Sequence, residues 1–481
     1  MISIDTNSHQ SEAKHKKLAN QLRSMIKQGK LKPSDKLPSA RKLAQLHGMN
    51  RHTVMSALQN LVAEGWLVVK ERSGYWVNAQ LPISSSEQVS TALSPNVVVA
   101  PRFAAVLNPP KDSERSGFRY NFAGGLPDLS AFPYDEFKRY LVKACRKSNI
   151  EHFHYAGGAG CGLLKVQIQT YLRRARGLIC DDLLVCNGAQ EALSLVASAF
   201  INKGDGVAIE MLGYPPARHA FKSIGANIFA LAQDDEGVKV EALARCLRQN
   251  NIKLLYLTPL HQYPTTVTLS VPRRMAIYQL CQQYGVFIIE DDYDHEFHYL
   301  CPPLQPMAAN DPSGIVIYIS SFSKIMFAGA RVGYLSARAD VLAQLVARKQ
   351  LLNHKNDALT QLAVAYWMEE GGFERHMRRM TKAYQTRHQA MNTHLSELKE
   401  RLNIDFIVPQ GGMAYWVDSK RDVSELSRLA KKQDIYVQCE PEFSLDKGSR
   451  FSHIRLGFAA QAIEQQRTGL DELFELVERV C

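Results

Sequence analysis

Five short, wholly apolar runs recur through the middle of the chain, at residues 183–186, 206–209, 254–257, 286–289 and 315–319, each followed by a stretch of helical character. A strand with one wet face alternates apolar and polar side chains, whereas a strand apolar on both faces lies in a sheet covered from both sides. The β/α alternation therefore predicts an α/β body, a mostly parallel sheet with helices on both faces. Ligands of such sheets gather beyond the carboxyl ends of the strands. The residues just after each run are thus the candidates for chemistry.

They form an ordered set. After the first run, Asn187-Gly188-Ala189-Gln190 is a glycine turn opening a helix, whose free N–H groups and dipole suit a phosphate. After the second, Tyr214 offers a ring for stacking on a flat heterocycle. After the third, Gln262-Tyr263 brings an amide or a second tyrosine near it. Beyond the fourth stands Glu290-Asp291-Asp292-Tyr293. A carboxylate there can pair with a pyridinium nitrogen; three acids in a row also suit a metal loop or a solvated turn. No second acidic or histidine cluster has the ligand spacing to join them, which argues against a metal. The fifth run delivers Ser321, Ser323 and Lys324, with Arg331 seven residues on. Hydroxyls and a guanidinium give a phosphate dianion directed donors. A lysine among them can form an imine with an aldehyde once burial or neighbouring cations lower its pKa. Phosphate plus imine describes pyridoxal 5'-phosphate (PLP). Near the C-terminus, Arg455 lies between apolar residues, as a core ion pair or as a grip for a carboxylate.

The front of the chain has another character. Residues 1–80 hold 13 Lys and Arg against 5 Asp and Glu, a net +8 of the chain's formal +11. That asymmetry points to a polyanionic partner for this segment. The pattern predicts helices at 13–29, 40–47 and 51–64, with Ser39 and Asn50 as N-caps, then strands at 66–70 and 75–78. Three helices and a hairpin make a winged helix-turn-helix. Arg51, His52 and Thr53 open its third helix, the part that reaches base edges in a major groove. Lys36, Ser39, Arg41 and the wing residues Arg72 and Gly74 complete the expected DNA contacts, with Lys36, Arg41 and Arg72 placed to hold phosphates. The organisation expected is a head at 1–78, a Ser/Pro-rich linker at 79–117 with one apolar piece at 97–100, and a body at 118–481. Within the body, a large subdomain spans about 160–340 and a small one about 345–481. Nine cysteines without a CxxC pair read as reduced thiols, and neither a signal pattern nor a membrane-length apolar run is present. The default compartment is cytoplasmic.

Leu37-Pro38-Ser39-Ala40-Arg41, Asn50-Arg51-His52-Thr53-Val54 and Leu61-Val62-Ala63-Glu64-Gly65 resemble the DNA-binding head of GntR-type bacterial regulators. That resemblance implies operator contacts at Arg41, Arg51 and Thr53. The order glycine, aromatic, amide, acid, lysine, arginine resembles fold-type-I, aspartate aminotransferase-like PLP enzymes. It implies that Lys324 holds PLP as an imine, Asp291 pairs with the ring nitrogen and Tyr214 stacks on the ring. By the same resemblance Tyr263 and Tyr293 lie near the phenolic oxygen, Ala189, Gln190, Ser321, Ser323 and Arg331 contact phosphate, and Arg455 grips an α-carboxylate. The two halves together resemble the MocR/GabR group of transcription regulators, as do the phrases Phe122-Ala123-Gly124-Gly125-Leu126-Pro127-Asp128 and His261-Gln262-Tyr263-Pro264-Thr265. The implied function is a PLP-dependent regulator that binds double-stranded operator DNA as a head-to-tail homodimer and senses PLP or its adduct with an amino compound. An active aminotransferase carrying a DNA-binding head is the alternative; a sensor of PLP level alone is a third reading. Three departures stand out: Thr266 where the group has glycine, Phe327-Ala328 in place of Ala-Pro, and Lys165 at an arginine position.

Overall fold

The computed structural model describes residues 14–82, 117–154, 158–446, 448 and 450–480. They belong to two compact units, one within residues 1–102 and one within 103–481. The expected linker, with its apolar piece at 97–100, lies almost wholly outside the described residues.

The first unit holds helices Lys14–Lys27, Ala40–His47 and Arg51–Ala63 and an antiparallel hairpin of Leu67–Lys70 with Gly74–Val77. Its boundaries have local causes. The Ser39 hydroxyl accepts the N–H of Lys42 at 3.3 Å and Asn50 Oδ1 accepts that of His52 at 3.0 Å, so each helix start gains a donor-satisfying cap. Gly48 closes the second helix in the left-handed region, φ 60°. Leu18, Leu22, Leu43, Val54, Leu58, Leu61 and Val77 form one core. Trp66 was expected to begin the first strand; it is buried in this core instead, and the strand starts at Leu67.

The second unit is built on a seven-stranded sheet in the order Leu184–Cys186, Gly333–Ser336, Val316–Ser321, Phe287–Asp291, Ile252–Leu257, Gly206–Glu210, Asn227–Leu231. Gly333–Ser336 runs antiparallel to both neighbours and the other pairings are parallel. The side-chain period of two splits the strands between layers. Ile317 and Ile319 pack with helices Ala189–Phe200 and Ala339–Asn353, and Val316, Ile288 and Leu255 with Val240–Gln249 and Val271–Tyr284.

A smaller antiparallel sheet follows, ordered Asp405–Phe406, Ala414–Asp418, His453–Gly457, Gln438–Cys439. Tyr415, Val417, Ile454 and Leu456 face its core against helices Gly372–Leu402 and Ile463–Val480, so Trp416, His453 and Arg455 occupy the other face. The chain enters here: Tyr120–Asn121 pairs parallel with Ile435–Tyr436, and Phe122 joins the same core. From there residues 123–128 cross toward the large sheet. Among the described residues, no helix is long and apolar enough to cross a membrane, and no cysteine is in a disulfide.

Candidate functional site

The parallel strands end on one side, and there the expected residues converge. Lys324 closes the turn Phe322–Lys324 directly after Val316–Ser321, and its Nζ donates to the Gly125 carbonyl at 2.8 Å. Asp291 ends the adjacent strand, in register with Ile319. Tyr256 donates to Asp291 Oδ2 at 2.8 Å, while Oδ1 is buried without a partner. Burial pushes this carboxyl up to about 7, against the opposing pull of the Tyr256 hydrogen bond.

The acidic triplet corrects the expectation of a loop beyond the strand. Glu290 and Asp291 are the strand's last residues, and the three acids point to different neighbours. Glu290 accepts the N–H groups of Met307 and Ala308 at 2.8 and 3.0 Å. Asp292 pairs with buried Arg176 at 2.8 Å and accepts from Tyr318 at 2.7 Å. Burial alone would raise Asp292, but Arg176 and His295 beside it hold it below the usual carboxylate range. Two of the acids are thus occupied elsewhere, and Asp291 alone lines the cavity.

Three tyrosines stand edge-on in a row: Tyr214 to Tyr263 at 5.1 Å and Tyr263 to Tyr293 at 5.9 Å between centroids. The Tyr293 hydroxyl is buried without a partner. At the opposite end, Gly188 (φ 80°) precedes helix Ala189–Phe200, so the backbone donors of Ala189 and Gln190 stand at a helix N-terminus. The Gln190 side chain is directed to the Pro216 carbonyl, 3.4 Å away. Arg331 donates to the Asn187 carbonyl and crowds Gly188, where a Cβ would meet its guanidinium at 3.1 Å. Ser321 and Ser323 share a hydrogen bond of 2.9 Å. Lys324, Asp291, the three tyrosines, Ala189, Gln190, both serines and Arg331 all line one cavity.

Arg455 sits beside that cavity, 0% exposed, with its guanidinium 4.3 Å above the Tyr263 ring. None of its three side-chain nitrogens has a partner among the described residues, so the core ion pair is not its environment. A Cβ on Gly124 would fall 1.4 Å from Arg455 Nη1, so only glycine leaves room there. Each buried polar group left unpaired costs about 1–3 kcal/mol. Three such groups around one cavity fit a ligand that completes them: a basic ring nitrogen for Asp291, a phenolic oxygen for Tyr293 and a carboxylate for Arg455. PLP with an amino acid has these features.

Sequence reasoning missed two contributors. Tyr256 lies inside an apolar strand, where its hydroxyl gives no pattern. Gly125 is 199 residues from the lysine it receives; the Gly124-Gly125 pair was the available signal. Of the departures, Thr266 adopts a left-handed φ of 65°, keeping the backbone shape that glycine would take without cost. Phe327 packs on Phe132 at 5.1 Å while Ala328 lines the cavity, and Lys165 pairs with Asp182 at 2.6 Å.

In the first unit Lys36, Ser39, Arg41, Arg51, His52, Arg72 and Gly74 are exposed and Thr53 is half-buried. Arg72 takes a left-handed φ of 55° at the wing turn, and the Ser39 hydroxyl is already engaged as a cap.

A family model described as "Bacterial regulatory proteins, gntR family" matches residues 14–77, and "Aminotransferase class I and II" matches residues 153–473. The probable rhizopine catabolism regulatory protein MocR of Rhizobium meliloti is 32% identical over 381 residues, 78% of this chain and 75% of that protein. The chain belongs to the MocR-type GntR regulators. A second relative of this group, the HTH-type transcriptional regulator TauR of Rhodobacter capsulatus, is 28% identical over 462 residues, covering 92% and 93% of the two chains. Among solved structures, the kynurenine aminotransferase of Pyrococcus horikoshii superposes on the body with a TM-score of 0.70 at 27% identity, covering 76% of this chain and 92% of that one. This MocR-type regulator is therefore a DNA-binding transcriptional regulator with an aminotransferase-like domain, whose family and fold imply PLP as cofactor.

Proposed function

We propose that the body holds PLP on Lys324 and reports an amino compound to the DNA-binding head. The observation that carries this reading is a trio of buried groups without hydrogen-bond partners: Asp291 Oδ1 and the Tyr293 hydroxyl at the cavity that Lys324 enters, and the Arg455 guanidinium beside it. When bound, the coenzyme supplies an aldehyde that captures a primary amine and a ring that withdraws electrons from it. In this reading Asp291 holds the proton of the ring nitrogen, Tyr214 stacks on the ring, and Tyr263 and Tyr293 donate toward the phenolic oxygen. Arg331, Ser321, Ser323 and the N–H groups of Ala189 and Gln190 neutralise the phosphate. Arg455 takes the carboxylate of the amino compound. Lys324 would hold the aldehyde, in exchange with the amine of the amino compound.

Arg51, His52 and Thr53 read bases, while Lys36, Ser39, Arg41, Arg72 and Gly74 hold the DNA backbone. Residues 79–117 tether the head to a body spanning 118–481, and the regulator works in the cytoplasm as a head-to-tail homodimer. Borohydride reduction of the PLP-loaded protein followed by peptide mass spectrometry tests the coenzyme half. The label is expected on Lys324 and absent from Lys324→Ala; a protein that takes up PLP but bears the label elsewhere refutes the assignment. The competing aminotransferase reading requires multiple turnovers of keto acid, which incubation with amino donors would reveal.

A further inference from the structure

We propose that the amino compound is an amino acid with an uncharged aromatic side chain, its carboxylate on Arg455 and its ring against Trp416. This rests on the coenzyme reading above. Trp416 stands directly opposite Arg455 on the neighbouring strand, and both lie on the sheet face away from the core. From the coenzyme cavity outward the ring contacts are unbroken. Tyr263 meets Phe443 at 5.5 Å, Phe443 meets Trp416 at 5.9 Å, and Trp416 stacks on His453 at 5.2 Å with the planes 9° apart. Trp416 and His453 wall a second cavity together with Leu212 and Thr265, each two residues from a tyrosine of the first. A side chain leaving the first cavity toward the second starts against Tyr263 and arrives at Trp416 and His453, with Phe443 packed behind the wall between them.

Charge narrows the class. The cations at the inner cavity are Lys324 and Arg331, with Arg455 beside it. Phosphate and α-carboxylate use the two arginines, and Lys324, once the amine has taken its place, has the Gly125 carbonyl as its partner at 2.8 Å, so a second carboxylate meets no unengaged cation there among the described residues. Farther out, Asp234, Asp235, Asp405 and Asp418 face Lys420, which repels an anionic side chain. A cationic one gains little, because Asp234, Asp405 and Asp418 are already paired with Arg273, Lys399 and Lys420, each at 2.6 Å, and Asp235 is exposed, where water screens its charge. A ring gains stacking and edge contacts with Trp416 and His453.

The test is a visible-absorption titration of the full-length, PLP-loaded protein with L-tryptophan, L-phenylalanine, L-glutamate and L-lysine. The aromatic pair is expected to half-saturate at concentrations at least tenfold below the other two. Glutamate or lysine acting at equal or lower concentration overturns the proposal while leaving amine sensing intact. A loaded protein that answers to none of the four overturns both readings. In Trp416→Ala, tryptophan and phenylalanine should weaken about tenfold while L-alanine, which has no ring to lose, is unaffected. Equal weakening of all three would reduce Trp416 to a structural role and overturn the assignment.

Discussion

The two oxygens of Asp291 differ in fate, one bonded to Tyr256 and one buried alone, and burial lifts the carboxyl to about 7. A buried acid with a raised pKa holds its proton more tightly in the folded chain than in the unfolded one. Between its ordinary value near 4 and about 7, folding therefore takes up a proton, and stability falls as pH rises through that window. An asparagine carries no such penalty. Without coenzyme, Asp291→Asn should match the wild type near pH 4 and melt at higher temperature at pH 8, while losing PLP affinity. A constant offset in melting temperature across that range would refute the account, and comparing the two chains cancels Glu210 and Glu290, also raised to about 7 by burial. Thr266 presents the reverse case: a β-branched residue in the left-handed region, where the conformation costs about 1–2 kcal/mol. Glycine relieves this at about 0.4–1 kcal/mol of added freedom in the unfolded chain. Thr266→Gly should therefore gain up to about 1.6 kcal/mol in a denaturant melt; a loss would mean that the Thr266 hydroxyl bond to the Thr265 carbonyl outweighs the strain.

Elements were legible where one local rule sufficed. All five apolar runs became strands of one sheet, four of them side by side and Leu184–Cys186 set off by Gly333–Ser336, because full burial on both faces leaves no other pattern, and the caps at Ser39 and Asn50 set the starts of their helices. Two strands of the large sheet escaped. Asn227–Leu231 lies at the sheet edge, short and only partly buried, and Gly333–Ser336 is four residues long and opens with glycine. That glycine answers to a distant constraint, since a Cβ on Gly333 would meet the Gly188 backbone at 2.7 Å. Long-range requirements of this kind, like the reach of Lys324 to Gly125, leave no periodicity to read. At the same scale, Asn50→Ala removes the cap of the third helix and should cost the head about 1 kcal/mol in thermal stability. Arg51→Ala, on the exposed first turn, should weaken operator binding by about 1–3 kcal/mol but barely change non-specific binding, if it reads a base. Equal losses on both DNAs would make it a phosphate contact.

For the whole molecule the question is how a filled cavity can alter the grip on DNA. Within the body, the chain supplies one route away from the cavity. The segment that enters the body at Tyr120 passes Gly124 under Arg455 and gives the Gly125 carbonyl to Lys324, and Asp128 is then held by Arg387 at 2.6 Å. Lys324 makes this bond when it carries no coenzyme, so an amino compound that takes its place at the coenzyme returns the lysine to that carbonyl, and one that binds Arg455 presses on the same strap. Any influence of this kind must be reciprocal, because coupling is a free energy shared by two sites. If the amino compound changes operator affinity tenfold, about 1.4 kcal/mol, then saturating operator must change the amino compound's half-saturation by the same factor. Paired titrations, one by absorbance with and without operator and one by DNA binding with and without the amino compound, should return equal factors in the wild type. In Gly124→Ala a Cβ displaces the Arg455 guanidinium, so both factors should collapse together toward one while the borohydride label on Lys324 and the affinity of the coenzyme-loaded protein for operator persist. If the factors stayed large in that variant, the signal would leave the cavity by another path, and the strap would be only a wall of the site.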